Sequence, residues 1–94
     1  MYRVEFTKRA YTDYMALVKS QPPSVIEKVD LLLKQLANSP RKGIASPHPL
    51  KGNWAGLWAI RVTQMIRIVY QIHDKRLVVE VISMRGHYEG LKKR

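Results

Sequence analysis

The 94-residue chain contains no cysteine, so it can build neither a disulfide framework nor a thiolate metal site. Its three histidines, at 48, 73 and 87, are scattered, and a structural zinc site is not expected. Acids are scarce, seven Asp and Glu against seventeen Lys and Arg, and their spacing suggests no paired-acid site. No Walker pattern, no GxGxxG after a strand and no Ser-His-Asp arrangement is legible, which removes support for ATP, nicotinamide and divalent-metal chemistry, and no cofactor is expected. No apolar run approaches the roughly 18 to 20 residues of a membrane-spanning helix, and the opening MYRVEFTKRAY lacks the pattern of a signal peptide. A cytoplasmic protein with no membrane partner is expected. Long Pro, Ser or Gln tracts are also missing, and an apolar fraction of 46% suits one folded domain over residues 1–94.

What the chain has in excess is positive charge. The net charge is +10, and it is uneven: residues 1–30 carry five Lys/Arg and four Asp/Glu (5 − 4 = +1), residues 31–94 twelve and three (12 − 3 = +9). The second part is built to face something anionic: nucleic acid, a membrane surface or an acidic protein.

YRVEF (2–6) alternates apolar Tyr2, Val4 and Phe6 with charge, the period of a half-buried strand. Thr7 then offers an N-cap to a helix from Lys8 to about Lys19, whose face is Ala10, Tyr14, Leu17 and Val18. Gln21-Pro22-Pro23 ends it. Ser24 and Glu27 read as a capping box for a second helix with the stripe Val25, Val29, Leu32, Leu33 and Leu36, stopped by Asn38-Ser39-Pro40. The two helices should form an antiparallel hairpin. Residues 39–56, SPRKGIASPHPLKGNWAG, are rich in Pro and Gly and contain no acid, so a long ordered or functional loop is expected.

Three strands follow, at about 57–63, 66–73 and 76–84. A three-residue turn over Thr63, Gln64 and Met65 pairs Val62 with Ile66, Ile60 with Ile68 and Trp58 with Tyr70, all apolar. A two-residue turn would oppose Arg61 to Ile68, so the three-residue form is preferred. A second turn at Asp74-Lys75 would pair Ile72 with Leu77, Tyr70 with Val79 and Ile68 with Val81. The opposite face then collects Arg61 beside Arg67, a pair that repels unless an anion lies between, and reads as an open basic groove for a phosphate backbone.

His87 is the candidate proton-transfer residue, since imidazole titrates near neutrality. It follows the last strand, whose end comes alongside Ile66 and Arg67. Tyr88 is a candidate to orient substrate or stack on a base. Arg67 and Arg61 suit bidentate phosphate binding. Lys51 and Trp54 suit RNA contact by charge and stacking, Arg85 adds a phosphate contact, and Trp58 reads as core.

The order βααβββ, with PHPLKGNWAGLWAIRVTQMIRIVY followed by VVEVISMRGHYE, resembles the RelE/ParE toxin superfamily, and most closely its YoeB and RelE ribosome-dependent mRNA interferases. The specific part is the Pro-x-Pro-Leu-Lys…Asn…Gly-x-Trp…Arg…Arg-x-Val-Tyr run with the His-Tyr pair. The resemblance implies an α+β fold, a helical hairpin packed on a small, mainly antiparallel sheet. It implies a type II toxin–antitoxin toxin that cleaves mRNA in the ribosomal A site without metal, by attack of a ribose 2′-OH on the adjacent phosphate. His87 would be the general acid, Arg67 the stabiliser of phosphorane charge, Arg61 a second phosphate contact, Tyr88 a positioning residue, and Lys51 would hold RNA. The partners implied are mRNA, the ribosome and a cognate antitoxin with an acidic, partly helical tail. Where YoeB-type toxins carry the general base Glu in Pro-Glu-Pro-Leu, this chain has His48, which is expected to take the base role. A second departure is the extension EGLKKR beyond the His-Tyr pair, a candidate contact for rRNA or antitoxin. The competing readings are a gyrase-poisoning toxin on the same fold and a non-catalytic RNA- or ribosome-binding module.

Overall fold

The computed structural model describes residues 1–85. His87, Tyr88 and the EGLKKR extension lie outside the described residues. The elements are β1 (Arg3–Phe6), α1 (Lys8–Ser20), α2 (Pro23–Asn38), β2 (His48–Pro49), a 3-10 turn (Gly52–Trp54), β3 (Trp58–Arg61), β4 (Arg67–His73) and β5 (Val78–Ser83). They form one five-stranded sheet in the order β1-β5-β4-β3-β2, with β1 parallel to β5 and the other pairs antiparallel. This is the expected α+β arrangement with one addition, the short strand β2 within the long loop. Among the described residues no helix is long and apolar enough to cross a membrane.

Both helices pack on one face of the sheet. Ala10 and Leu17 from α1, and Val29, Leu32 and Leu36 from α2, meet Ile60, Ile68, Tyr70, Val79, Val81 and Met84 in the main core. Val18, expected on the buried face of α1, is exposed, and Asp13 takes a place on that face instead. Thr7 caps α1 as expected, its Oγ1 accepting the Ala10 N–H at 3.1 Å. The capping box at Ser24 does not form. Helix α2 starts two residues earlier, with Pro22 at the N-cap, because Pro23 fits the first helical position, where its missing N–H costs nothing.

The β3–β4 register is as expected, Trp58 opposite Tyr70, Ile60 opposite Ile68 and Arg61 opposite Arg67. Thr63 closes the turn, its hydroxyl oxygen accepting the N–H groups of Met65 and Ile66. The β4–β5 register differs. Ile72 faces Val79 and Tyr70 faces Val81, so the turn is the four-residue Asp74–Leu77 rather than Asp74-Lys75. A shift of two residues leaves every side chain on its expected face, and burial patterning cannot detect it. Leu77 is exposed and adopts φ 53°, which completes the turn through its N–H to the Asp74 carbonyl at 3.2 Å. A bulge follows, since Val69 faces Ser83 while Tyr70 faces Val81, leaving Ile82 as the extra residue. The bulge resets the alternation, so Met84 returns to the main core.

The loop from 39 to 47 is ordered by several ties. The buried Tyr70 hydroxyl donates to the Pro40 carbonyl at 2.6 Å, and burial holds its pKa well above the usual phenol value. Arg41 donates two hydrogen bonds to Asp74, at 3.2 and 2.7 Å, and lies 5.9 Å over the Trp58 ring. These bonds from Arg41, with that from Tyr2, hold the Asp74 carboxyl below the ordinary range, so the tie persists at neutral pH and is lost only in acid. The Gln35 amide grips Ile44 twice, accepting its N–H at 2.8 Å and donating to its carbonyl at 3.0 Å. Gly43 passes against this amide with φ +120°, where a Cβ would come within 2.7 Å of Gln35.

Thr7 also joins α1 to the sheet, its hydroxyl donating to the Ile82 carbonyl at 3.0 Å and its N–H to the Val81 carbonyl at 2.9 Å. Thr7→Val removes the cap and the bond to Ile82, and should lower unfolding free energy by about 1–2 kcal/mol in a denaturant titration, with Thr7→Ser near wild type.

Candidate nucleic-acid interface

The face of the sheet away from the helices is not an open groove throughout. Leu50 and Leu57 fold back over Ala59 and Val69 to make a second, smaller core, with Trp54 and Ile82 packed against it. The expectation of a bare basic face is corrected here, because Ala59, Val69 and Val78 are apolar and buried on that side. The cover is a compact turn: the Leu50 N–H donates to the Leu57 carbonyl at 2.8 Å and the Leu57 N–H to the Trp54 carbonyl at 3.1 Å. Trp54 therefore lies half-buried in the cover, while Lys51, which precedes the 3-10 turn, is exposed at its edge.

One end of this face, beyond the cover, carries a pair of arginines. Arg61 ends β3 and Arg67 begins β4, and they occupy directly opposed positions, whose Cβ atoms are about 4.5–5.5 Å apart in such pairs. Arg61 is exposed and Arg67 half-buried. His48 is brought in by β2, where it pairs with Ala59. Opposed residues share a face, and Arg61 follows Ala59 by two, so His48 stands on the same face as both arginines, a diagonal neighbour of Arg61 at about 7–8 Å. The His48 ring is exposed, with Nδ1 lying 3.4 Å from the Ser46 carbonyl oxygen. Arg85 is exposed and lies two residues past Ser83, the last residue of β5.

Arg61, Arg67 and His48 thus share one face near one end of the sheet, with Lys51 on the adjoining turn. Guanidinium groups stay charged at any physiological pH and present forked donors matched to phosphate oxygens. The arrangement can hold a phosphodiester, with an imidazole near the phosphate.

A second polar group lies at the opposite end of the strands. His73 Nε2 sits 3.1 Å from Glu80 Oε1, and Arg3 donates to Glu5 at 2.8 Å. Among the described residues no three of His, Asp and Glu come together as metal ligands.

Asp13 was not anticipated. It is 8% exposed and accepts the Met84 N–H at 3.1 Å, with Arg9 3.6 Å away. The available signal was a carboxylate three residues after Ala10 and four before Leu17, on the face of α1 that had to be buried.

Comparison with known proteins identifies the family and the fold. Residues 6–88 match the model of the "YoeB-like toxin of bacterial type II toxin-antitoxin system" family. The chain is 34% identical to a Toxin YoeB of Synechocystis over 93% of its own length and 98% of the relative's. A solved YoeB/ParE toxin from Agrobacterium tumefaciens superposes with a TM-score of 0.83 at 31% identity, covering 92% of this chain and 99% of that one. The toxin in a YoeB-YefM complex from Staphylococcus aureus superposes at 0.77 with 26% identity, covering 94% and 99%. The chain belongs to the YoeB-like toxin family of bacterial type II toxin–antitoxin systems.

Proposed function

We propose that the protein is a ribosome-dependent endoribonuclease that cleaves mRNA in the A site. The observation that carries this reading is the opposed pair Arg61 and Arg67 at one end of the sheet, on the face that also bears His48. Family membership supports it over a gyrase-poisoning role, which would require no imidazole at this site.

In the proposed reaction the 2′-OH of the nucleotide on the 5′ side attacks the adjacent phosphorus. The new O2′–P bond forms as the P–O5′ bond breaks, giving a 2′,3′-cyclic phosphate and a free 5′-OH. His48 takes the 2′ proton. His87 gives a proton to the departing 5′ oxygen, and Tyr88 orients the substrate. Negative charge grows on the non-bridging oxygens in the pentavalent transition state, and Arg67, supported by Arg61, is the cation that meets it. Fixed cations that need no reorganisation are commonly the largest single contribution to such a reaction. Lys51 and Arg85 hold flanking phosphates, and Trp54, packed in the cover, gives the turn its shape and an edge for base contact.

The partner that restrains this activity is a cognate antitoxin. An acidic segment of it would be drawn to the same arginines by charge, and a toxin from this family has been solved as the YoeB-YefM complex.

The test is primer extension on mRNA in programmed, stalled ribosomes. Wild type should give a discrete A-site cut. His87→Ala should slow it by about 10²–10⁴-fold and Arg67→Ala by about 10²–10³-fold. Equal cleavage by wild type and His87→Ala would remove His87 from the chemistry, and broken chromosomal DNA with intact mRNA in arrested cells would favour the gyrase reading.

The base assignment has its own signature. A base and an acid together give a bell-shaped pH–rate profile, rising as the base loses its proton and falling as the acid does. His48→Ala should flatten the acidic limb and leave the alkaline limb in place. An unchanged profile would move the base elsewhere.

A further inference from the structure

Helix α2 is joined to His48 by an unbroken run of contacts. Gln35, half-buried on α2, grips Ile44 on both sides: its Oε1 accepts the Ile44 N–H at 2.8 Å and its Nε2 donates to the Ile44 carbonyl at 3.0 Å. Ile44 is the second residue of a turn that the Ser46 N–H closes on the Gly43 carbonyl at 3.3 Å. The Ser46 carbonyl oxygen in turn lies 3.4 Å from His48 Nδ1. One side-chain amide therefore holds the turn whose last carbonyl meets the imidazole.

The backbone of this turn is the unusual part. Ala45 has φ 66° and Ser46 φ 48°, so two consecutive residues that are not glycine take the left-handed conformation. Ala45 occupies the third turn position, where a positive φ ordinarily selects Gly. It is half-buried and packs against the main core, a contact that glycine could not make. Left-handed residues other than glycine persist where their surroundings over-determine them. The Ile44 side chain is 61% exposed and brings little packing, so the amide grip on its backbone is what holds that side of the turn.

A neutral imidazole has one N–H and one bare nitrogen, and a carbonyl oxygen can only accept. Nδ1 beside Ser46 therefore takes the proton, because the other tautomer would set two lone pairs against each other. Nε2 is then the bare nitrogen, on an exposed ring that shares a face with Arg61 and Arg67. In water the neutral ring carries its proton mainly on Nε2, so the contact reverses the preference of the free side chain.

We infer that Gln35 is a positioning residue for the general base: by fixing the Gly43–Ser46 turn it keeps the Ser46 carbonyl on His48 Nδ1, and so holds His48 in the tautomer whose Nε2 can take a proton. This rests on the base role proposed for His48 above. In the other tautomer Nε2 already carries a proton and cannot receive one, so a ring of the wrong form is idle as a base.

The experiment uses the full chain with Gln35→Met, which keeps the length of the side chain and suits a helix but has no amide, and Gln35→Glu, which still accepts the Ile44 N–H. Nitrogen NMR of the imidazole, at a pH where His48 is neutral, reads the tautomer without reference to activity. Wild type should show the proton on Nδ1, and Gln35→Met should raise the ratio of the Nε2–H to the Nδ1–H form by about threefold or more. Single-turnover cleavage on programmed ribosomes reads the consequence. Gln35→Met should lose about tenfold or more in rate at saturating ribosomes, with an unchanged half-saturating concentration, and Gln35→Glu should fall between it and wild type. In a His48→Ala background Gln35→Met should cost nothing further, since its effect runs through the imidazole. A wild-type ring with its proton on Nε2, a tautomer ratio unchanged in Gln35→Met, a Gln35→Met that cuts at the wild-type rate, or a loss that multiplies with that of His48→Ala would each overturn the inference. A His48→Ala that cuts as fast as wild type would instead overturn the base role on which it rests.

Discussion

The site depends on the pairing of β3 with β4. Trp58 with Tyr70, Ile60 with Ile68 and Val62 near Ile66 must all face the helices, because together they supply much of the sheet's contribution to the core. Once those pairs are made, the period of two leaves Arg61 and Arg67 no alternative but to oppose each other on the far side. Burial of apolar area, at about 25 cal/mol per Å², drives the pairing and outweighs the modest mutual repulsion of two charges near water. The hydrophobic core thus sets two arginines at directly opposed positions on the face away from the helices.

The other parts of the site are delivered to that pair by separate means. The 39–47 loop is tied down by Tyr70, Arg41 and Gln35, and leads into β2, which places His48 beside Ala59. The 50–57 turn covers the middle of the face. The bulge at Ile82 and the contact from Asp13 govern where β5 ends. The proposed function gives these arginines two uses, an RNA backbone in cleavage and an acidic antitoxin segment in inhibition.

The helical hairpin, the core and the Arg61–Arg67 pair were legible in the sequence because each follows from apolar periodicity. The β4–β5 register was not: pairing Ile72 with Leu77 or with Val79 places the same residues on the same faces, and only the backbone of Leu77 decides between them. The bulge was hidden for a related reason, since Val81-Ile82-Ser83 carries no Gly or Pro to mark it. The basic face was overestimated because Leu50 and Leu57 lie in a stretch dominated by Pro, Gly and Lys, where apolar residues give no period to read. The capping box at Ser24 lost to Pro23, whose fixed φ starts the helix two residues earlier. His48 could be named as a candidate only from the resemblance, as the residue in the place of the Glu of Pro-Glu-Pro-Leu, and its place on the arginine face required the pairing with Ala59.

The central claim is that Arg61 and Arg67 act as one unit on a single phosphate. The most direct measurement is a double-mutant cycle of single-turnover mRNA cleavage on programmed ribosomes, comparing Arg61→Ala, Arg67→Ala and the double variant. The account predicts that the double variant loses much less than the product of the two single losses, because removing either arginine already dismantles the shared phosphate site. Losses that multiply would show two independent contacts and contradict it.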